Sequence, residues 1–190
     1  WAARAARTAA GWIPAAQGID PENSRCREFY EGLARFGIPL LSHTGIEHAL
    51  GKRQSRYNHP RKLMPALEAG VTVIAAHCGV RLFLHEPSYF RVWASMAKEY
   101  PRFYGDLGAF PIMTRVPYVR RIFRDSILRR KVLYGSDFPA LPSPLWCWQL
   151  GLRQIFRCGR IRNPLERNLT VMRALGMPED VFGNACRTLL

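Results

Sequence analysis

The sequence predicts an α/β fold in which parallel β-strands alternate with α-helices. Short apolar runs recur at intervals of about 30 residues, and segments with the period of an amphipathic helix lie between them. Continuously apolar strands are typical of a parallel sheet that is covered on both faces. Right-handed strand–helix–strand crossovers then place the strands parallel to one another.

Five strands are predicted in chain order. The four clearest are apolar or β-branched runs, two of them preceded by a glycine, and a fifth is expected near the start of the chain. They cover residues 38–42, 71–76, 103–107 and 131–134, with the fifth near 11–14.

The first helix of the series has the clearest boundaries. Phe29, Leu33 and Phe36 recur at i, i+4 and i+7. The run follows Asn23, a residue that caps helices, and it precedes Gly37, where a C-terminal glycine is expected.

The remaining helices are predicted from similar apolar stripes. One covers residues 63–67, one runs from a Ser88 cap to Pro101, and one carries its stripe over 116–127. Beyond the last strand, helices are expected at about 145–157, 163–175 and 178–190, and Pro178 suits a first helical turn.

Five β/α units are fewer than a closed (β/α)8 barrel requires, because that fold has eight strands and roughly 250 residues. We therefore expect residues 1–190 to form one domain, an incomplete (β/α)8 TIM barrel with its last five β/α units and C-terminal helices. The chain begins with Trp1, and its first ten residues resemble a helix interior. About three units are accordingly expected to precede it.

Composition excludes several classes of protein. The chain has 190 residues, 48% of them hydrophobic, but its apolar runs are far shorter than the roughly 20 residues that span a bilayer. Five widely spaced cysteines without a CxxC pair favour reduced thiols in a cytoplasmic protein. The sequence thus predicts no membrane partner and leaves a homo-oligomer open.

A net charge of +14 raises the question of nucleic-acid binding. The basic residues are 24 Arg and 4 Lys, scattered through predicted helices and loops instead of forming one stripe. This pattern favours solvated helix faces over a nucleic-acid interface. The expected partner is instead a small-molecule substrate, which the polar residues at the strand ends and the family resemblance given next imply.

Three predicted strands end in a side chain that can bind metal or transfer protons. PLLSHTG places His43, VIAAHCG places His77, and YGSDFP places Asp137. The carboxyl ends of parallel strands meet on one face, so these side chains should converge. A single strand-end histidine is more often structural, and an aspartate before a turn often caps a helix. Three such residues in one pattern favour a functional site.

Four strings, in this order and spacing, resemble the amidohydrolase-2 branch of the amidohydrolase superfamily. They are PLLSHTG, VTVIAAHCG, YGSDFP and the closing FGNACRTLL. The branch includes relatives of aminocarboxymuconate semialdehyde decarboxylase, and the resemblance extends from about Trp12 to Leu190. It implies a (β/α)8 barrel that binds one or two divalent metals, usually Zn²⁺, with Mn²⁺ as the alternative.

The resemblance also implies roles for the three residues. His43 would be a metal ligand at the fifth barrel strand, and Asp137 would be a ligand and proton carrier at the eighth. His77, at the sixth, would ligate a second metal or contact the reacting water or substrate. The implied activity is a metal-dependent hydrolase acting on an amide, ester or lactone-like substrate that bears a carboxylate. A metal-dependent decarboxylase, which is a carbon–carbon lyase, is the alternative.

The chain departs from the family pattern in its metal ligands. Family members carry a His-x-His pair, or a variant with Glu, at the first strand, and this sequence contains no such pair. Two ligands are too few for a tight zinc site. Either other segments supply the rest, or the chain is an inactive fragment or pseudoenzyme. A carbamylated lysine of two-metal relatives is also absent, which favours one metal.

Other polar residues are weaker candidates. Glu47 and His48 follow His43 in a loop where substrate contact is expected, and His85 is a further candidate in the loop after the next strand. Asp106 ends another strand, where a structural hydrogen bond is favoured over orienting a ligand. Cys78 should point into the core because strand residues alternate. Glu86 lies next to His85, and His59 should begin a helix.

Overall fold

A computed structural model of the protein describes residues 9–47, 54–139 and 143–189. Its centre is one five-stranded sheet in which every strand is parallel to its neighbours and the spatial order follows the chain order. The strands are β1 (Ala10–Trp12), β2 (Leu40–Ser42), β3 (Val73–Ala75), β4 (Phe103–Asp106) and β5 (Val132–Leu133). All five predicted strands are confirmed, each shorter than its apolar run.

The α-helices follow the strands in regular alternation. They are α1 (Pro14–Gln17), α2 (Arg27–Phe36), α3 (Met64–Glu68), α4 (Phe90–Glu99), α5 (Val116–Arg124), α6 (Ser126–Arg130), α7 (Leu152–Gly159), α8 (Pro164–Ala174) and α9 (Asn184–Leu189). Short 3₁₀ turns precede several of them. The helix α2 begins after a turn capped by Asn23 and ends at the left-handed Gly37, as the sequence predicts.

The core lies between the sheet and these helices. Leu40, Val73 and Phe103 occupy paired positions on neighbouring strands and are fully buried. Trp93 of α4 is also fully buried, and its indole nitrogen donates a 3.2 Å hydrogen bond to the carbonyl of Tyr104. Alternate strand residues point to the opposite face. On that opposite face, Gly11 of β1 and Leu41 of β2 line a cleft at the carboxyl ends of the strands.

Several predicted helix boundaries are wrong because local capping or backbone geometry intervenes. Tyr89, not Ser88, precedes α4, and no side chain caps that helix. The stripe over 116–127 is divided at Asp125, whose carboxylate accepts hydrogen bonds from the backbone of Ile127 and Leu128 and so starts α6. In place of one helix at 145–157, the structure has two 3₁₀ turns, Pro144–Trp146 and Trp148–Leu150. The helix α7 follows them and begins only after Gly151.

The end of the chain differs from the prediction in a similar way. Pro178 caps a 3₁₀ turn, Glu179–Val181, and α9 follows as a separate helix. Within the three described ranges, no helix combines the length and the apolar character needed to cross a bilayer.

Candidate active-site cleft

A cleft of about 420 Å³ lies at the carboxyl ends of the strands. The structure brings His43, His77 and Asp137 together there, as expected from parallel strands. Its complete lining is Gly11, Trp12, Ile13, Gln17, Leu41, His43, Ala76, His77, Asp106 and Asp137.

His43 enters the cleft directly after β2. Its backbone N–H donates a 3.1 Å hydrogen bond to the carbonyl of Trp12, which fixes the residue against the neighbouring strand. The Nε2 atom is buried and accepts or donates no hydrogen bond among the described residues. The carboxylate of Glu47 lies 3.5 Å from that atom, close enough for a charge interaction. Burial lowers the pKa of His43, and Glu47 only partly opposes this, so the ring is neutral at pH 7.

His77 follows β3 in a left-handed backbone conformation. Its φ is 58° and that of the next residue, Cys78, is 51°, a region that residues other than glycine seldom occupy. Asp106 at the end of β4 stabilises this turn. Its Oδ1 accepts hydrogen bonds from the backbone N–H of His77, at 3.0 Å, and of Gly108, at 2.8 Å. Strained backbone of this kind is often found at functional sites.

The ring of His77 is held in one tautomer. Its Nδ1 lies 2.9 Å from the carbonyl oxygen of Gly108. A carbonyl can only accept, so Nδ1 carries the hydrogen and Nε2 keeps a lone pair. Burial, followed by the charge of Arg115 and the neighbouring His43 ring, lowers the pKa of His77 to about 3. The ring therefore remains neutral at pH 7, and Nε2 is a hydrogen-bond acceptor. Its centroid lies 5.3 Å from that of His43, at 74° between the ring planes.

A buried arginine completes this support. Arg115 is 6% exposed, and it donates hydrogen bonds to the carbonyls of Gly108, at 3.2 Å, and Arg81, at 3.4 Å. Burial lowers its pKa, while the charge of Asp106 opposes the shift. Arg115 thus joins the loop after β3 to the loop after β4. Sequence reasoning missed it, because one arginine among 24 carries no local signal.

Asp137 reaches the cleft from the loop after β5. Its φ is 63°, another left-handed conformation of a residue that is not glycine. The Cβ of Asp137 and Nδ1 of His77 lie 3.2 and 3.3 Å from the position that a side chain at Gly108 would occupy. A glycine at this position therefore leaves room for the polar groups on both sides.

Trp12 forms one wall of the cleft and was also missed by the sequence reasoning. Its indole N–H donates a 2.7 Å hydrogen bond to the hydroxyl of Ser42, and its ring packs against Phe29 and Tyr30. The available signal was its position, since Trp12 ends β1 directly opposite the last residue of β2.

The weaker candidates are placed differently. Glu47 is buried beside His43 instead of exposed in a loop. His85 is exposed, stacks on Phe83 at 5.8 Å, and does not line the cleft. Glu86 accepts hydrogen bonds from the backbone of the same loop and so has a structural role. His48 lies outside the described residues.

The predicted core and helix-start residues lie as expected. Cys78 is fully buried, and its thiol donates to the carbonyl of Asp106. His59 precedes a 3₁₀ turn, and its ring accepts a hydrogen bond from the backbone of Arg61.

The donor atoms fit a divalent metal in type but not in number. Across residues 9–47, 54–139 and 143–189, no three His, Cys, Asp or Glu side chains are grouped as a metal site. A buried, unbonded imidazole nitrogen on His43 and the carboxylate of Asp137 are both donors that Zn²⁺ accepts. A zinc site with catalytic water needs about three protein ligands. The described residues thus offer two suitable donors and not a complete set.

Parallel strands with histidine and aspartate at their carboxyl ends are the arrangement in which (β/α)8 barrels place their active sites. The amidohydrolase-2 family model, described as amidohydrolase, matches residues 6–156. The chain therefore belongs to the amidohydrolase superfamily, whose members are generally metal-dependent.

Solved structures agree with the fold. One is a protein from Pseudomonas putida provisionally assigned as a 2-pyrone-4,6-dicarboxylic acid hydrolase, at 11% identity and a TM-score of 0.57, with 93% of this chain and 59% of that chain covered. Another is an uncharacterised TIM-barrel protein from Bordetella bronchiseptica, at 18% identity and a TM-score of 0.50, with 82% and 53% covered.

The present chain thus spans little more than half the length of either solved structure. Its five parallel strands and these likenesses fit an incomplete (β/α)8 barrel. No curated protein gives a significant match to the sequence.

Proposed function

We propose that His43, His77 and Asp137 belong to the active site of a metal-dependent hydrolase. The observation that carries this proposal is the pair of imidazole rings that meet in the cleft, with centroids 5.3 Å apart. His77 is locked with a lone pair on Nε2, and the Nε2 of His43 is buried without a hydrogen bond. Buried polar atoms in proteins are usually satisfied, so an unsatisfied nitrogen at the end of a barrel strand favours a ligand role.

In this proposal His43 and Asp137 hold the metal, with Zn²⁺ favoured and Mn²⁺ as the alternative. When bound, such an ion supplies Lewis-acid polarisation of a carbonyl and a water whose pKa falls to about 7. Further ligands must come from residues other than these two, since a catalytic zinc site needs about three.

The side chains of the chain itself then perform three tasks. The carboxylate of Asp137 accepts a proton from the attacking water and returns it to the leaving group. Nε2 of His77 accepts a hydrogen bond from the attacking water and so orients it, because the neutral ring keeps a lone pair on that atom. Trp12 and Leu41 supply apolar walls that exclude water around the substrate.

The proposed substrate is an amide, ester or lactone that carries a carboxylate. The net charge of +14 favours the approach of an anionic substrate. The name of the Pseudomonas putida protein suggests a concrete probe, 2-pyrone-4,6-dicarboxylate, which is a lactone with two carboxylates. A decarboxylase using the same residues is distinguished by release of carbon dioxide instead of ring opening.

The test combines metal content with activity. We expect His43→Ala and Asp137→Asn to lower the amount of bound Zn²⁺ measured by mass spectrometry. His77→Asn should retain the metal and lower kcat for the pyrone by about 100-fold or more. The matched control is His85→Ala, because His85 is an exposed histidine outside the cleft.

A second candidate is an inactive relative, and the incomplete donor set among the described residues favours it. Protein purified with no stoichiometric metal, and inactive on lactones, esters and amides after addition of Zn²⁺ or Mn²⁺, would support this candidate and contradict the hydrolase. Equal loss of activity in His85→Ala and His77→Asn would also contradict the assigned roles.

A further inference from the structure

Exposed apolar side chains are concentrated in the segment of the chain between β5 and α8. Two 3₁₀ turns, Pro144–Trp146 and Trp148–Leu150, pack against α7, and all three are anchored by buried Cys147 and Cys158. Five large apolar side chains point outward from this unit, and we call them the aromatic crest: Leu145, Trp146, Trp148, Leu152 and Phe156 are 70%, 51%, 64%, 74% and 68% exposed.

Two basic hollows are lined by residues of the crest or of the elements that carry it. One, of about 500 Å³, is lined by Leu145 and Phe156 of the crest together with Arg160 and Arg167. The other, of about 570 Å³, lies between α5 and the base of α7. Its polar lining consists of arginines and glutamines without a carboxylate, namely Arg120, Arg121, Arg124, Gln149 and Gln154.

The arginines around the crest have no ionic partners in the described parts of the chain. Two more, Arg153 and Arg157, lie on α7 itself, which brings the group to seven. The ion pairs of the described residues involve other arginines and lysines, such as Arg27 with Glu31 and Arg129 with Asp180. Within residues 143–167 the only acidic residue is Glu166. The crest is therefore a set of exposed apolar side chains among arginines that carry uncompensated positive charge.

We propose that the aromatic crest and its flanking arginines dock on an anionic lipid bilayer. Contiguous exposed apolar side chains usually mark an interaction surface. Tryptophan favours the boundary between lipid headgroups and acyl chains, and leucine and phenylalanine enter the apolar layer beneath it. Arginine guanidinium groups on either side pair with lipid phosphates. The contact is peripheral and needs no spanning helix, although the sequence predicts no membrane partner.

A second copy of the chain is a poorer occupant for this surface. It would bring the same seven arginines against one another, and each chain carries a net charge of +14. Like charges facing each other across an interface cost free energy. An anionic surface instead neutralises them.

The test uses the full chain with lipid vesicles. We compare phosphatidylcholine vesicles with vesicles that also contain phosphatidylglycerol, at low and high salt. Binding is measured by co-sedimentation, and insertion by quenching of tryptophan fluorescence with brominated lipid. We expect binding to the anionic vesicles only, with quenching of Trp146 and Trp148, since the indole rings should reach the acyl region.

Two pairs of variants separate insertion from simple charge attraction. Leu152→Ser with Phe156→Ser should retain binding at low salt but lose most of the quenching. Its matched control is Phe36→Ser with Ile127→Ser, because both residues are exposed apolar side chains on other helices.

The second pair changes charge. Replacing Arg120, Arg121 and Arg124 with alanine should weaken binding on the order of 100-fold. Replacing three exposed arginines elsewhere, Arg25, Arg35 and Arg61, removes the same charge and should have a much smaller effect.

Three results would overturn the proposal. The first is absence of binding to anionic vesicles. The second is equal weakening by both arginine triples without lipid quenching, which would show nonspecific attraction of a basic protein. The third is a wild-type protein that is oligomeric and does not bind vesicles, together with a Leu152→Ser, Phe156→Ser variant that is monomeric. That result would assign the crest to contact with a second copy. None of these results depends on the proposed hydrolase activity.

Discussion

The carboxylate of Asp106 holds the backbone turn that presents His77 to the cleft. It accepts two backbone hydrogen bonds and faces the buried guanidinium of Arg115, which in turn binds the carbonyl that fixes the His77 tautomer. Burial raises the pKa of Asp106, but the two N–H donors and Arg115 favour its ionised form. The orientation of His77 therefore depends on one carboxylate.

Replacing Asp106 with alanine should lower the free energy of unfolding by about 3–5 kcal/mol, because it leaves two N–H groups without an acceptor and removes one of the negative charges that favour the buried Arg115. Urea denaturation at pH 7 measures this loss. The control is Asp180→Ala, which breaks an exposed ion pair with Arg129 and should cost less than about 1 kcal/mol. A similar small loss in both variants would show that Asp106 does not support the turn.

The neutral His77 predicts how stability depends on pH. Its pKa falls from 6.5 to about 3 on folding, mainly through burial. Below pH 6.5, His77 is protonated in the unfolded chain but stays neutral in the folded chain. The free energy of unfolding therefore decreases on acidification. The decrease from this residue is on the order of 2 kcal/mol between pH 6.5 and pH 5. His43 acts in the same direction because its pKa is also lowered.

Denaturation of metal-free protein at several pH values checks this expectation. His77→Asn should flatten the dependence between pH 6.5 and pH 5. The matched control is His85→Asn, a change at an exposed histidine outside the cleft. If the free energy of unfolding had the same slope against pH in the wild-type protein and in His77→Asn, folding would not lower the pKa of His77.

At the scale of elements, the strands and the convergence of strand-end residues could be predicted from sequence. Buried parallel strands read as continuous apolar runs, and β3 is buried at all three positions. Because such strands end on one face, the convergence of His43, His77 and Asp137 followed from their positions alone. The bounds of α2 were also readable, since Asn23 and Gly37 act within a few residues of its ends.

Other features could not be read because they depend on distant contacts. The carbonyls that Arg115 binds belong to Gly108 and to Arg81, the latter 34 residues away. Asp125 divides a regular apolar stripe by capping the second half, a choice the stripe itself does not reveal. The environment of Glu47 is likewise set by the fold, which buries it beside His43.

Two glycines should respond in opposite ways to alanine. A Cβ at Gly105 in β4 would lie 2.6 Å from the sulfur of Cys78 and 2.7 Å from the indole nitrogen of Trp93, both in fully buried side chains. Gly105→Ala should therefore destabilise the protein by about 1–3 kcal/mol or more. Gly32 in α2 has open space around this position, so Gly32→Ala should stabilise by up to about 1 kcal/mol. Urea denaturation of both variants measures the contrast, and equal effects would contradict the close packing of β4 against α4.

At the scale of the whole molecule, the sheet has two open edges in the described residues. β1 pairs only with β2, and β5 pairs only with β4. Unpaired backbone groups along an exposed edge can bind another strand, and the apolar faces of parallel strands favour this further. The five-stranded sheet is thus a surface for self-association, separate from the aromatic crest.

We therefore expect the chain of residues 1–190 to self-associate through its sheet edges, and to do so more strongly as salt increases. The charge of +14 opposes contact between copies, and added salt screens that repulsion. Sedimentation velocity at several protein and salt concentrations measures the effect. The Leu152→Ser, Phe156→Ser variant should associate as wild type does, because the crest is not involved. Vesicle binding should show the opposite dependence and weaken with salt. A cooperatively melting monomer at all salt concentrations would mean that the two edges are protected, and the sheet would then be stable without further strands.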